Sequence, residues 1–392
     1  MTPPAHPLAP APAKEAVARR IQGAGERLVA LSHRIHAHPE LGFEETLASQ
    51  WVADALADAG YEVRHGCYDL PTAVHATIGD GPVHVGICAE YDALPDLGHA
   101  CGHNVIAAAA VGAATGLAAL ADDLGLTVTV LGTPAEEGGG GKVLMLERGA
   151  FDGLDAAMMV HPAATEMLAM PLLAMSQFEV SYRGRPAHAG AWPEQGVNAA
   201  DAMTVAQVAL GLLRQQTRAD DRVHGIVTGA GTAPNVIPDH ARGRWIIRSG
   251  TAKALAELAP RVHRCFEAGA VATGCALDLE PAGPDYADLR HDASLLRLYR
   301  ANAEALGRIF PEVPPGSAVG AATDMGNVSH VVPTIHPMLG LDCPGVGNHQ
   351  PGFTAASVTS TADRAVLDGA TALAWTAADL AAGAGVGAAA GG

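Results

Sequence analysis

The clearest signal of the fold is the stretch Leu126-Thr-Val-Thr-Val-Leu-Gly-Thr-Pro-Ala-Glu-Glu137. It begins as a short β-branched apolar run, which is typical of a buried strand, and it stops at a proline followed by two carboxylates. A similar run, Val83-His-Val-Gly-Ile-Cys88, precedes it, and the apolar stretch Val105–Ala121 between them has the length of a helix. Lys142–Gly149 and Ala156–Val160 continue the alternation as a helix and a strand. Strands that alternate with helices predict an α/β domain with a largely parallel sheet.

The alternation of strands and helices changes near residue 175. From there to residue 290 it predicts the order β-α-β-β-α-β, from an alternating strand at Phe178–Tyr182 to a strand at Ala276–Glu280. We therefore expect a ferredoxin-like α+β domain over residues 176–290. It is inserted into a catalytic α/β domain formed by residues 15–175 and 291–392.

The ends of the chain are predicted to be mainly helical. Residues 1–14 are rich in proline and alanine, so we expect a disordered tail there. Apolar residues then recur at helical spacing from Lys14 to Gly60, and the break at His38–Gly42 separates two helices. Near the C-terminus, Val331–Ile335 has the pattern of a strand and Ala362–Leu380 that of a long helix.

The composition excludes several classes of protein. The 392 residues are 49% hydrophobic and 17% charged, as in a globular chain. The formal net charge of −17 makes nucleic acid and anionic membranes poor partners. The chain opens without a secretory signal pattern, no apolar run suits a membrane span, and the six cysteines form no CxxC pair. We therefore expect a cytoplasmic protein with free thiols and no membrane partner.

Groups that bind metals follow three of the predicted strands. Cys101 and His103 come after the strand that ends at Cys88, Glu136 and Glu137 follow the next one, and His161 follows a third. Because ligands bind at the carboxyl ends of the strands in an open α/β sheet, these side chains are expected to converge at one edge. Glu90 and Asp92 lie near the same edge, and Gly347-Asn-His-Gln-Pro351 adds a loop histidine, His349.

The glycine run Gly138–Gly141 before Lys142 suggests a phosphate-binding loop, but the match fails. A P-loop needs a glycine at the position that Glu136 occupies, and Ser or Thr where this chain has Val143. A carboxylate at that position would repel phosphate, so a nucleotide-dependent enzyme is excluded.

Four motifs together resemble one family, the amidohydrolase branch of the aminoacylase/carboxypeptidase metallopeptidases. This branch includes hippurate hydrolase, indole-acetyl-amino-acid hydrolases and aminobenzoyl-glutamate hydrolase. The resemblance extends from about residue 25 to residue 380. It implies a dimetal α/β domain with an inserted lid and dimerisation domain. The four motifs are His38-Pro-Glu-Leu-Gly-Phe-Glu-Glu45, Glu90-Tyr-Asp-Ala-Leu-Pro95, Gly98-His-Ala-Cys-Gly-His103 and Gly132-Thr-Pro-Ala-Glu-Glu137.

Two further stretches, Arg222-Val-His-Gly225 and Ala321–Pro333, are most similar to the subgroup that contains the β-alanyl-lysine dipeptidase. The resemblance implies that Glu136 is the general base and that Asp92 orients the site. Other branches carry a histidine ligand where this chain has Glu90 and a bridging carboxylate where it has Cys101, which leaves the occupancy of two full metal sites open. The implied metal ligands are Cys101, His103, Glu137, His161 and His349. A thiolate and three imidazoles favour zinc, with manganese, cobalt and nickel as alternatives.

The resemblance also assigns residues in the inserted domain. His188, in Gly184-Arg-Pro-Ala-His-Ala-Gly190, is similar to a family histidine that reaches across a homodimer to the scissile carbonyl. Asn235 and Arg248 match groups that hold the substrate, although a turn residue and a solvated strand end are equally compatible. His224 is a weaker candidate for substrate binding.

The expected function is hydrolysis of the amide of an N-acyl amino acid or an unusual dipeptide, by a metal-activated water with Glu136 as base. One alternative is a dipeptidase for β-alanyl or similar dipeptides that end in a basic residue. Another, of a different class, is a non-catalytic protein that binds metal or amino acids. The presence of both Glu136 and His188 disfavours it, because storage of a ligand needs no general base.

Overall fold

The computed structural model describes residues 9–311 and 320–383. The chain divides into two compact units. Within the described residues, the first comprises residues 9–171, 289–311 and 324–383, and the second comprises residues 172–288 and 320–323. The second unit is therefore inserted into the first, and the domain boundaries expected at residues 176 and 290 stay a prediction.

The elements follow in chain order. The first unit begins with α1 (Ala11–Gly23), α2 (Gly25–Ala37), α3 (Thr46–Asp58), β1 (Glu62–His65), β2 (Val74–Ile78), β3 (Val83–Glu90), α4 (His103–Leu117), β4 (Leu126–Thr133), α5 (Gly141–Glu147), β5 (Ala156–Met158) and β6 (His161–Ala163). The second contains β7 (Ala174–Arg183), α6 (Ala199–Leu213), β8 (Arg222–Gly229), β9 (His240–Ser249), α7 (Ala252–Thr273) and β10 (Ala276–Pro281). The chain returns to the first unit with α8 (Ala293–Ala305), α9 (Met325–Ser329), β11 (Thr334–Ile335), β12 (Met338–Gly340), α10 (Pro351–Ala356) and α11 (Ser360–Ala381).

The main sheet of the first unit has the order β1-β2-β4-β3-β5-β11. The four strands β4, β3, β5 and β11 are parallel, while β1 and β2 add an antiparallel edge. A separate parallel pair joins β12 to β6. The predicted largely parallel sheet is confirmed, and its alternation with helices explains why the central strands are apolar on both faces.

Helix α4 lies in the core of the first unit, and small residues allow the close packing. A Cβ added to Gly112 would lie 2.7 Å from the Cβ of Ala370 on α11, and one added to Gly116 would lie 2.8 Å from Ile21 on α1. Only glycine lets these helix backbones approach so closely. The packing places the N-terminus of α4, and with it His103, at the carboxyl end of β3.

The second unit is a four-stranded antiparallel sheet of order β10-β7-β9-β8 with two helices, α6 and α7. This is a ferredoxin-like arrangement, with the element order predicted from the sequence. Its own apolar core includes Phe178, Tyr182, Trp245 and Phe266. The unit therefore has the core of an independent domain, and its role as a lid or dimerisation domain stays a prediction.

Two expectations at the N-terminal end are corrected. Residues 1–8 lie outside the described part, but residues 9–14 do not form a disordered tail: the Ala9 N–H donates to Asp379 Oδ1 at 2.9 Å, and Lys14 Nζ lies 2.7 Å from Asp379 Oδ2. Three helices, not two, precede β1, because a further break falls at Ala24. The first error arises because the partner Asp379 is 365 residues from Lys14, so local pattern cannot show the contact.

Strands of the main sheet also differ from the expectation. The sequence pattern did not predict β1 and β2, which form the antiparallel edge of the main sheet. The strand expected at Val331–Ile335 is confined to Thr334–Ile335, because the N–H groups of Val331 and Val332 donate to the Val328 carbonyl and Pro333 has no N–H. Among the described residues, no helix combines the length and the apolar character needed to cross a bilayer.

Candidate metal centre

The carboxyl ends of β3 and β4 form the floor of the site. The two strands are parallel neighbours in register, with Glu90 opposite Thr133, so the residues that follow them emerge side by side. Asp92 follows β3 and Glu137 follows β4, and the Glu137 N–H donates to Asp92 Oδ2 at 2.9 Å. This hydrogen bond ties the two strand ends together.

Cys101 and His103 approach from the loop before α4. Gly102 between them is left-handed, with φ 76°, and a Cβ there would lie 2.9 Å from Pro162. His103 Nδ1 lies 3.0 Å from Asp92 Oδ1, so a proton on Nδ1 is held by the carboxylate and Nε2 is directed elsewhere. Burial raises the pKa of Asp92, but the charge of His103 and this hydrogen bond hold it below its usual value. Asp92 thus orients the ring of His103.

His161 and His349 complete the cluster. His161 Nδ1 lies 2.8 Å from the Pro162 carbonyl oxygen, which again directs Nε2 away from the backbone. His349 has a left-handed backbone with φ 64°, and its N–H donates to the Ala100 carbonyl at 2.9 Å. Its Nε2 lies 3.4 Å from Cys101 Sγ and 3.2 Å from Glu137 Oε1. The loop histidine is therefore held against the strand ends.

The donor atoms fall into two groups that share a thiol. Cys101, His103 and His161 bring one donor atom each within 4.8 Å of one another, and Cys101, Glu137 and His349 form a second such group. His103 Nε2 is buried without a hydrogen-bond partner among the described residues, and the Oε2 atoms of Glu90 and Glu136 lie 3.5 Å and 3.9 Å from it, so this nitrogen and its surroundings are suited to a cation. Burial raises the pKa of the Cys101 thiol, so it needs a positive charge to ionise. The residues present therefore fit divalent metal binding.

Glu136 lies beside these groups but belongs to neither of them. It is 6% exposed and falls in two further clusters, one with His103 and Glu137 and one with Glu90 and Asp324. Burial, Glu90 and Glu137 together raise its pKa well above the usual value of a carboxyl. A carboxylate that is reluctant to stay charged is suited to accept and return a proton.

Sequence reasoning missed a buried ion-pair network behind Glu136. Lys142 Nζ lies 2.5 Å from Glu90 Oε1 and 2.6 Å from Asp324 Oδ1, and all three side chains are fully buried. Burial lowers the Lys142 pKa, but Asp324 and Glu90 raise it well above its usual value. Glu90 is thus paired with a lysine at the position where other branches have a metal-binding histidine. A lysine among apolar residues of a predicted helix, Lys142-Val-Leu-Met-Leu146, was the available signal.

Four predicted substrate-contacting residues lie in the second unit. His188 is exposed, and its Nδ1 accepts from the Gly190 and Ala191 N–H groups. It stands opposite Val236 in an isolated bridge, which places Asn235 on the adjacent segment. The remaining two residues are Arg248 on β9 and His224, exposed on β8.

Arg248 has an unusual environment for a strand-end arginine. Its Nη1 is buried without a hydrogen-bond partner among the described residues, and burial lowers its pKa. Since a buried guanidinium without a partner is costly, this atom is suited to receive an anionic group.

A parallel α/β domain that gathers thiol, imidazole and carboxylate groups at one edge of its sheet, with a ferredoxin-like insertion, defines a metal-dependent hydrolase. The sequence profile of Peptidase family M20/M25/M40 matches residues 86–366. The chain is 39% identical over 383 residues to the Xaa-Arg dipeptidase of Mus musculus, covering 94% of this chain and 88% of that one. It is 32% identical over 274 residues to a component of the p-aminobenzoyl-glutamate hydrolase of Escherichia coli, covering 64% and 57%.

Solved structures agree on the fold. An aminohydrolase from Staphylococcus aureus superimposes with a TM-score of 0.76 at 20% identity, covering 93% of this chain and 99% of that one. A dinuclear metal-binding M20 peptidase from Bacillus subtilis gives 0.69 at 22% identity, covering 91% and 98%. The chain belongs to peptidase family M20/M25/M40, and it is an enzyme, a metal-dependent amide hydrolase with a divalent metal cofactor.

Proposed function

We propose that this enzyme hydrolyses the amide bond of N-acyl amino acids or unusual dipeptides at a site that holds two metal ions per subunit. One observation carries the proposal: two donor groups share Cys101, and the buried carboxyl of Glu136 lies beside them without belonging to either. The ligands are Cys101, His103, Glu137, His161 and His349. This donor set favours zinc, with manganese, cobalt or nickel as alternatives.

When bound at these residues, a metal would supply Lewis acidity to the water and to the scissile carbonyl. Glu136 accepts the proton of the attacking water and later delivers it to the departing amine. Asp92 keeps the proton of His103 on Nδ1, so that Nε2 is available for coordination. The same carboxylate accepts the Glu137 N–H and thereby sets the distance between the two strand ends.

The second unit is assigned to substrate recognition in a homodimer. His188 of one subunit donates a hydrogen bond to the developing oxyanion in the site of the other. Arg248, with its buried Nη1, binds the carboxylate of the amino-acid portion. Asn235, next to the His188 segment, holds the amide, and His224 is a further candidate contact. We place this enzyme in the cytoplasm, where six free cysteines stay reduced.

A narrower function is favoured by the similarity to mammalian Xaa-Arg dipeptidases. That similarity spans 94% of the chain, whereas the match to the aminobenzoyl-glutamate hydrolase component spans 64%. We therefore propose, as a second candidate, a dipeptidase for substrates that end in a basic residue. The formal net charge of −17 is compatible with cationic substrates.

A substrate panel tests both candidates. Zinc- or manganese-loaded enzyme is mixed with N-acyl amino acids, β-alanyl dipeptides and dipeptides ending in Arg or Lys, and amine release is followed. We expect release from one class, loss of it after chelation, and recovery when metal is restored, because the donors are protein side chains that survive metal removal. Equal turnover before and after chelation would contradict the proposed chemistry. No release from any substrate by metal-loaded enzyme would contradict both candidates.

A complementation experiment tests the shared site. Glu136→Gln and His188→Ala subunits are each expected to be nearly inactive. If His188 acts in the partner's site, a hybrid dimer contains one site with wild-type Glu136 and wild-type His188. Random exchange should then restore about a quarter of the wild-type activity, because half of the dimers are hybrid and each has one competent site. The control mixes Glu136→Gln with Glu136→Gln,His188→Ala subunits. No recovery after verified exchange would exclude action across the dimer.

A further inference from the structure

The motif His38–Glu45 carries part of the family resemblance but contains none of the proposed ligands. It forms the connection between α2 and α3. The Ala93 N–H donates to the Glu40 carbonyl oxygen at 2.8 Å, and Leu41 forms a parallel bridge to Ala93. The motif therefore contacts the chain directly after Asp92, at the end of β3.

The same segment contacts the chain directly before Glu136. Ala135 has φ 53°, a left-handed conformation that costs energy for a residue with a Cβ. Two glycines leave room for its side chain: a Cβ on Gly42 would lie 2.9 Å from the Ala135 Cβ, and one on Gly139 would lie 2.6 Å from it. Such a conformation persists only where the surroundings hold it.

A buried carboxyl holds this turn. Glu45 is fully buried, and its Oε1 accepts the Ala135 N–H at 2.7 Å. Its Oε2 accepts the hydroxyl of Thr72 at 2.8 Å, and the Thr72 carbonyl in turn accepts the hydroxyl of Tyr91. Every member of this chain of hydrogen bonds is buried, so the position of Glu45 is determined on both sides.

We propose that Glu45 is a positioning residue for the catalytic carboxylates: through the Ala135 N–H it holds the strained turn that directs Glu136 and Glu137 into the site. This inference rests on the proposed roles of Glu136 and Glu137. Glu45 itself is buried away from solvent, so we assign it no contact with substrate. The glycines at 42 and 139 supply the space, and the carboxyl supplies the hydrogen bond.

The test compares three variants of neighbouring residues. Glu45→Ala removes the acceptor of the Ala135 N–H. Glu45→Gln keeps an oxygen for that N–H. Because burial and the charge of Asp92 raise the pKa of Glu45 to about 7, the neutral amide of glutamine is a close mimic of this carboxyl. Glu44→Ala is the matched control. It removes the same group, a carboxyl, from the adjacent position, where the side chain is exposed.

The readouts are zinc affinity, measured by titration of metal-free protein, and the separate values of kcat and KM. Loss of a residue that orients a ligand typically costs about 10–100-fold in metal affinity or activity. We expect Glu45→Ala to lose zinc affinity and kcat by that factor with KM within a few-fold of wild type. Glu45→Gln and Glu44→Ala should stay within a few-fold in all three quantities.

Gly42→Ala perturbs the same turn without changing any charge, and it is used where Glu45→Ala does not fold. Its added Cβ must displace Ala135, so we expect the same loss of zinc affinity. If either variant is folded, as judged by circular dichroism, and has the zinc affinity and kcat of the wild type, the positioning role is overturned. Failure of the proposed function is distinguishable, because the wild-type protein itself would then bind no zinc or release no amine.

Discussion

Replacement of Glu136 by Gln is expected to abolish nearly all turnover while the protein keeps its metal. Glutamine has the shape of glutamate but cannot accept the proton of the attacking water. General acid–base catalysis typically contributes about 10²–10⁴-fold, so kcat should fall by at least the lower figure. Metal should remain, because Glu136 lies outside both donor groups that contain Cys101.

Zinc titration of the metal-free protein and steady-state kinetics on the best panel substrate measure the two effects separately. Glu147→Gln is the control, since this glutamate is exposed at the end of α5 and makes the same chemical change. A kcat within ten-fold of wild type in Glu136→Gln would exclude the assigned base. Loss of zinc with loss of turnover would instead make Glu136 a ligand.

Replacement of Lys142 by Met is expected to destabilise the protein strongly. The side chain is fully buried between Glu90 and Asp324, so its removal leaves two carboxyls in a dry interior without a cation. Breaking a buried ion pair by removal of one partner costs about 3–5 kcal/mol. The exposed Lys253→Met variant, which has the same change of side chain, should unfold at the wild-type temperature.

The loss of stability caused by Lys142→Met should also depend on pH. Burial raises the pKa of Asp324 to about 6 even though Lys142 lowers it, so without Lys142 the pKa must rise further. A group whose folded pKa is raised favours the folded state while it is protonated, and the folded state loses that contribution as pH rises. The unfolding temperature of Lys142→Met should therefore lie closer to wild type at pH 5 than at pH 8. If the unfolding temperatures of Lys142→Met and wild type differ equally at both pH values, or do not differ at all, the buried charge network is contradicted.

Much of the catalytic domain could be predicted because its elements carry local signals. The strand predicted at Val83–Cys88 falls within β3, the apolar run that begins at Leu126 forms β4, and the strand predicted at Ala156–Val160 contains β5. Apolar runs and periodicity are properties of neighbouring residues, so they are visible without a fold. The convergence of ligands followed from one further rule, that parallel strands end at one edge of a sheet. The roles of the individual ligands stay predictions, although their side chains lie together.

Other features depend on partners far away in the chain. Lys142 pairs with Asp324, 182 residues distant, and Lys14 with Asp379, 365 residues distant. In the sequence, Glu45 has the same expectation of exposure as any other glutamate. Its contact with Ala135 is visible only in the structure. No window of sequence contains both members of these pairs, and composition alone gives each charged residue the same expectation of exposure.

The fold class, the family resemblance and the side chains able to bind metal could all be inferred from the sequence, because each is encoded in local pattern or motif. Which charges are buried together became visible in three dimensions alone: Lys142 lies between Glu90 and Asp324, and Glu45 lies beneath the turn at Ala135. The physical reason is that burial and electrostatic pairing depend on distance in space. Chain packing sets that distance, and it brings residues from opposite ends of the sequence to within hydrogen-bond reach.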